Sequence, residues 1–410
     1  MDFTHPTYLQ LFLTISLPIM GLAYALVGGL KLSLVERLQI DEGKVGRLVG
    51  GFGTMFGPTI LLCGFLTDAL GRKGVWVAGS AAVAAAILIF ALTRTFRGAL
   101  LAVLLLGIGW AAQVNVGNVL MRVAVPANRP QQELIWAANF FDFVFGFGAL
   151  ITPLALGLLL KKLGYSKGLV FLALVAALPV LLGIFAEMNP GAAATAPDVA
   201  PPPASSTAAL MSKPLFWVLG FAFLFFVPLE TSVAGWATTL VQRQTSRDVP
   251  VEQANRSASL TLSAFWFGFT GSRLVVSILG AFGVMGRLLG PTNEQRLLVV
   301  MGFACVALML GLAMAKGRGM TQALILLAGM ACGPVFPTMM AIVLLSVPAD
   351  AMGRAVGIFF FFASVGWTVV PMLIGLVARK ADIQKGFLVA AGSGAVFLTL
   401  ILLRGAMAAH

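Results

Sequence analysis

Long apolar runs, separated by short polar or glycine-rich intervals, fill almost the whole chain. Twelve are long enough to cross a bilayer, near residues 8–30, 45–67, 74–93, 98–122, 132–160, 167–187, 214–241, 254–281, 294–315, 319–346, 351–379 and 383–405. A hydrocarbon core is about 30 Å thick and a helix rises about 1.5 Å per residue, so roughly 20 apolar residues span it. The runs are continuous and lack the two-residue alternation of a membrane barrel. The pattern therefore predicts an all-α polytopic membrane protein with 12 transmembrane helices. The first run is long and has no basic leader, so it reads as a true span and not as a cleaved signal peptide.

Composition agrees. Of 410 residues 59% are hydrophobic and only 10% charged, with mean hydropathy +0.98. No water-facing globular surface is built from such a mixture. The 46 glycines and 20 prolines would weaken helices in water. In a membrane, small residues let helices approach and proline breaks are satisfied by neighbours. Cys63, Cys305 and Cys332 are far apart and fit no metal or disulfide spacing. His5 and His410 lie at the chain ends. With no buried histidine, paired cysteine or hydrolase serine motif, no enzyme, metal site or cofactor is expected, and no nucleic-acid partner.

Residues 188–213 differ from the rest: they are rich in Ala, Pro and Ser without apolar periodicity, and read as a flexible linker. The linker divides the spans six and six, into 1–187 and 214–410. A repeat supports the division. Phe140 to Gly157 reads FFDFVFGFGALITPLALG, and Ile358 to Gly375 reads IFFFFASVGWTVVPMLIG. Gly148, Pro153 and Gly157 match Gly366, Pro371 and Gly375, in the same helix of each half.

Between the second and third spans stands Gly64-Phe-Leu-Thr-Asp68-Ala-Leu-Gly71-Arg72-Lys73. Gly64 permits close helix contact, Asp68 can accept from a helix N-terminus or a neighbouring basic residue, Gly71 suits a tight turn, and Arg72 and Lys73 are expected in headgroup water. This stretch resembles the loop signature of the major facilitator superfamily, G-x-L-x-D-x-x-G-R-K. The resemblance implies two pseudo-symmetric six-helix bundles, a conformational latch at the loop, and cytoplasmic termini. Lys and Arg are nevertheless more numerous in the loops which that orientation leaves outside.

Ionisable groups at membrane depth are costly and mark function by default. Asp142 lies deep in the fifth span; by the Gly148–Gly366 register its counterpart is Phe360. Asn139 shares its helix face. Glu230 lies in the seventh span between Pro228 and Gly235, where a broken helix is expected. Asn115, Asn118 and Arg122 share a face of the fourth span, with Gln113 offset. Paired amides both donate and accept, which suits hydroxyl groups. Trp110, Trp136, Trp236, Trp266 and Trp367 offer flat faces for packing or stacking. Arg273 reads as either a latch partner or a snorkelling residue near one end of the eighth span.

Glu230-x5-Trp236, Phe265-Trp266-x-Gly268-x4-Arg273, Phe336-Pro337-Thr338 and the stretch from Asn139 to Leu150 look like the bacterial fucose/glucose permease branch of that superfamily. That branch imports monosaccharides, often with a proton. The resemblance assigns Asn139 to a sugar pocket and matches Glu230 and Trp236. It also shows departures: Asp142 stands where many members have histidine, and the first and fourth spans lack the acids that carry proton coupling in the fucose permease.

The expectation is a secondary transporter of a small polar solute, a sugar or related polyol, working by alternating access as a monomer in a bacterial inner membrane. Gln113, Asn115, Asn118 and Asn139 would bond the solute, Trp236 or Trp266 would stack on it, and Asp142 or Glu230 would bind a proton. Gly64, Asp68, Gly71, Arg72, Lys73 and Arg273 would form the latch. The alternative is a facilitator that exports an amphipathic compound or carries an organic anion, suited by the 31 phenylalanines and 17 methionines.

Overall fold

The computed structural model describes residues 7–40, 42–126, 130–188, 206–245, 249–290, 293–380 and 382–408. Among these, twelve helical spans are long and apolar enough to cross a membrane: Tyr8–Leu30, Gly50–Leu70, Arg72–Leu92, Phe96–Val123, Gln131–Leu163, Tyr165–Phe185, Pro214–Gln244, Glu252–Ala281, Asn293–Met314, Arg318–Ser346, Ala349–Lys380 and Ile383–Met407. They are numbered spans 1 to 12 below. The helix of span 1 starts on a capping box in which Thr7 and Gln10 satisfy each other's backbone N–H groups. Span 4 is capped by Thr95, whose hydroxyl accepts from Gly98 N. Gly71, at φ 87°, makes the turn from span 2 into span 3.

One expectation needs correction. The seventh span is one continuous helix, Pro214–Thr245, with Pro228 inside it. Pro228 removes a single donor, which the helix tolerates. The break falls in span 10, between the helices Arg318–Cys332 and Val335–Ser346. There Pro334 lacks an N–H, and Gly333 lies so close to span 8 that a Cβ would overlap Phe269 O and Ser272 Oγ. The three cysteines are buried and free. Cys305 of span 9 and Cys332 of span 10 meet as buried free thiols, Sγ to Sγ 3.6 Å. Helix packing, not chain spacing, brings them together.

The chain forms two compact units, and neither is a simple half of the sequence. Unit 1 comprises Met1–Pro130, Val144–Thr207 and Leu344–Phe361; unit 2 comprises Gln131–Phe143, Ala208–Val343 and Phe362–His410. Each therefore includes one end of span 5 or span 11 from the opposite half. In unit 1, span 3 packs on spans 4 and 6, span 2 on span 4, and span 1 on spans 4 and 6. In unit 2, span 9 packs on spans 10 and 12, span 8 on span 10, and span 7 on spans 10 and 12. Adding six to each number in the first set gives the second. Gly148 lets span 5 cross the backbone of span 1 at Pro18, and its repeat counterpart Gly366 lets span 11 cross span 7 at Leu224. At either glycine a Cβ would collide with backbone.

Of the expected linker, 206–213 are described and include one short helix, Thr207–Met211. Residues 189–205, like His5 and His410, lie outside the described residues.

Candidate functional site

Two polar clusters stand out, one in each unit. The first gathers at the end of span 2. Asp68 accepts from Gly353 N at 2.8 Å, from Arg354 N at 2.9 Å and from Arg354 Nε at 2.9 Å. One carboxylate thus holds both the start of a helix and a guanidinium, a charge-assisted set. Arg354 also donates to Thr207 Oγ1 at 3.2 Å. Gly64 makes the crossing possible: a Cβ there would stand 2.6 Å from Gly353 O.

Asn115 belongs to this cluster. Its Nδ2 donates to Gly353 O at 2.9 Å and its Oδ1 accepts from Thr67 Oγ1 at 2.8 Å. The expected solute-binding amide thus has a protein partner at each of its two polar atoms. Arg72 also differs from expectation: it is partly buried and donates to Met188 O at 3.0 Å, while Lys73 is exposed.

The second cluster lies in unit 2, on spans 5, 8 and 10. Arg273 is 4% exposed. Its Nε donates to Gly333 O at 2.8 Å, the carbonyl at the break of span 10. Its Nη1 donates to Asp142 O at 3.3 Å, and its Nη2 stands 3.7 Å from Asp142 Oδ2. The Phe269 ring lies under the guanidinium, 4.2 Å from its centroid. Arg273 is thus a partner of Asp142 within unit 2. Asn139, fully buried three residues before Asp142, donates from Nδ2 to Ile135 O at 2.9 Å and to Thr338 Oγ1 at 3.2 Å. Its Oδ1 is buried without a hydrogen-bond partner among the described residues.

Glu230 completes this neighbourhood. It is partly exposed, and its carboxylate has no hydrogen-bond or ion-pair partner among the described residues. Arg273 and Asp142 are the charged groups that act on it electrostatically. A carboxylate at span depth without a partner costs several kcal/mol, roughly, unless water, a proton or a ligand meets it.

The remaining candidates have the following partners. Gln113 is fully buried and donates to Ser80 Oγ of span 3 at 2.9 Å. Asn118 donates to Val114 O of its own helix at 2.8 Å. Trp236 packs on Gly375, where a Cβ would lie 3.1 Å from its ring. Trp266 meets Phe265 and Phe269 edge-on, at 5.2 and 5.4 Å between centroids. A packed aromatic cluster lies in unit 1. Trp110 is stacked on Tyr24 at 5.1 Å and flanked by Phe56 at 4.8 Å, Phe52 at 5.3 Å and Phe145 at 6.4 Å. Its buried Nε1 has no hydrogen-bond partner among the described residues. The sequence gives Trp110 only as one flat ring among several; its neighbours come from spans 1, 2 and 5 and no local pattern announces them.

This architecture is that of a known transporter class. The chain belongs to the major facilitator superfamily, whose family model matches residues 13–371. It is an integral, multi-pass membrane protein of a family of small-molecule transporters. Among solved structures it is similar to FucP, a major facilitator transporter seen in the outward conformation, with TM-score 0.74 and 17% identity over 97% of this chain and 99% of that one. A variant of the Escherichia coli fucose:proton symporter FucP gives TM-score 0.73 and 16% identity, over 97% of this chain and 99% of that one. The human organic anion transporter MFSD10 gives TM-score 0.75 and 17% identity, over 95% and 98%. At these identities the likeness establishes the fold. No curated protein matches the sequence itself.

Proposed function

We propose that this protein is a secondary active transporter that moves a small polar solute, a sugar or related polyol, by alternating access and in company with a proton. The observation that carries the reading is the unpaired Glu230 carboxylate at span depth beside the Asp142–Arg273 pair. Such groups are retained in spans where a coupling ion or solute meets them. The buried, unmatched Oδ1 of Asn139 supplies an acceptor for a hydroxyl. The fold likeness to a fucose:proton symporter agrees with this reading. In it, 1–187 and 214–410 are the two moving bundles, 188–213 joins them, Asp68 and Arg354 latch one state, and the monomer works in a bacterial inner membrane.

The test is uptake of radiolabelled monosaccharides into proteoliposomes under an inward proton gradient. Glu230→Gln and Asp142→Asn should each lower gradient-driven accumulation at least tenfold while solute counterflow persists. Unchanged accumulation in both variants rejects the coupling role.

A second reading is transport of an organic anion or an amphipathic compound. It is favoured by the five-ring cluster around Trp110 and by the fold likeness to an organic anion transporter. Thermal stabilisation by organic acids or lipophilic compounds, and by no sugar, would select it.

A further inference from the structure

The Asn139 amide is held in one orientation by its neighbours. Its Nδ2 donates to Ile135 O at 2.9 Å and to Thr338 Oγ1 at 3.2 Å. Thr338 in turn donates its own proton to Pro334 O at 2.7 Å. A hydroxyl has one proton, so once Pro334 has taken it the oxygen only accepts. If the amide flipped, Asn139 Oδ1 would face Ile135 O, which can only accept, and Thr338 could donate to it only by giving up its bond to Pro334 O. The flip is therefore disfavoured, and Oδ1 points away from both. It is buried and without a partner among the described residues. A buried unsatisfied carbonyl costs about 1–3 kcal/mol, which a ligand donor would recover.

We propose that Thr338 is a specificity-determining positioning residue: by fixing the Asn139 amide it makes this site require a hydrogen-bond donor, a hydroxyl, on the solute. The inference rests on the transport reading above and narrows its substrate class. A solute whose matching group only accepts, such as a methyl ether, would face Asn139 Oδ1 with no proton to offer. Sites built around a committed buried polar atom reject mismatched ligands strongly, because the mismatch leaves that atom unpaired. Thr338 also sits one turn past the Gly333–Pro334 break of span 10, whose carbonyl Arg273 holds. The orientation of Asn139 is thereby tied to the irregular backbone beside the charged pair. In the sequence the amide and the hydroxyl are 199 residues apart.

The test uses purified full-length protein and matched ligand pairs, each a hydroxyl compound with its mono-O-methyl ether. One set is made of hexoses and one of hydroxylated organic acids. Binding is read by thermal shift and confirmed by uptake. Wild type should prefer one hydroxyl compound over its ether at least tenfold in apparent affinity. Thr338→Val keeps shape but removes the hydroxyl, and should shrink that preference to about threefold or less. Thr338→Ser should restore it, which a merely structural role for the methyl-bearing side chain does not predict. Discrimination confined to the organic acids, and lost in Thr338→Val, would sustain the role of Thr338 and remove the sugar reading. If wild type discriminates no pair, or if a folded Thr338→Val keeps the full preference, the inference is overturned.

Discussion

The two polar clusters draw on corresponding spans of the two units but lie at different depths in them. One draws on spans 2, 4 and 11, the other on spans 8, 10 and 5, each the repeat counterpart of the first. At the end of the crossing, Gly64 faces Gly353 and Arg354, while Gly280 faces the ring of Trp136. By the Gly148–Gly366 register, Trp136 corresponds to Arg354. An ion pair thus fills this position in unit 1 and an indole on a glycine in unit 2. Deeper in the crossing the chemistry is reversed. Asp142 meets Arg273 in unit 2, while its counterpart Phe360 meets Phe56 edge-on in unit 1, at 6.0 Å between centroids.

Depth explains what this difference means. Asp68 is two residues from the end of span 2, so its charge lies within about one helical turn of the headgroups. Asp142 is eleven residues into span 5, about 17 Å by helix rise. A charged pair near the surface is inexpensive and fastens two helices. The same pair at depth is costly as pure structure, since an apolar pair of like volume would serve as well. Unit 1 uses the apolar solution at that depth. Its absence from unit 2 is the argument for function there.

The comparison can be strained from either side. The largest effect is expected for Asp68→Ala, which strips three hydrogen bonds from the start of span 11 and leaves Arg354 without its carboxylate. A loss of about 4 kcal/mol in unfolding free energy should follow, read from denaturation in mixed micelles. A loss under about 1 kcal/mol would mean that the cluster does not fasten the helix.

Next comes Arg273→Leu. It leaves the Asp142 charge and the Gly333 carbonyl unmatched, and should cost about 3 kcal/mol. Adding Asp142→Asn should recover at least half of that, because the remaining side chain no longer carries an uncompensated charge. A double variant as unstable as Arg273→Leu alone would show that the arginine acts through Gly333 and not through Asp142.

The smallest effect separates the two glycines. Gly64→Ala sets a Cβ against the Gly353 backbone and should cost about 2 kcal/mol. Gly280→Ala meets a side chain, Trp136, which is free to give way by rotating, and about 1 kcal/mol is expected. Equal losses in a thermal or denaturant melt would count against the distinction between backbone and side-chain crossings.

Part of this organisation was legible in the residues. The Gly64–Lys73 spacing announced a turn and an acceptor, and Asp68 does accept from both a helix start and a basic side chain. Asn139 and Asp142 were singled out by depth and shared face, and they lie in one cluster. By the same logic Asn115 reads as a ligand amide, and its Nδ2 donates to Gly353 O. Nothing local distinguishes an amide aimed at a solute from one aimed at a helix 238 residues further along the chain. The break expected at Pro228 was misplaced for a related reason. A proline opens a helix only where neighbours take up the freed groups, and it is Gly333 that has Arg273 to do so.

The sequence alone determined the membrane class, the twelve spans, their duplication and the close helix contact at Gly64. Each of these follows from transfer free energies and steric size that belong to residues one at a time, or to short runs of them. Tertiary structure decided which polar groups meet: Arg273 with Asp142, Thr338 with Asn139, Cys305 with Cys332. In water, the contrast between apolar core and polar surface turns each helix to a known face. In a bilayer both the lipid and the protein interior are apolar, so that contrast vanishes. The rotation and depth of each helix are then set by packing against distant parts of the chain, and the partners of each buried polar atom with them.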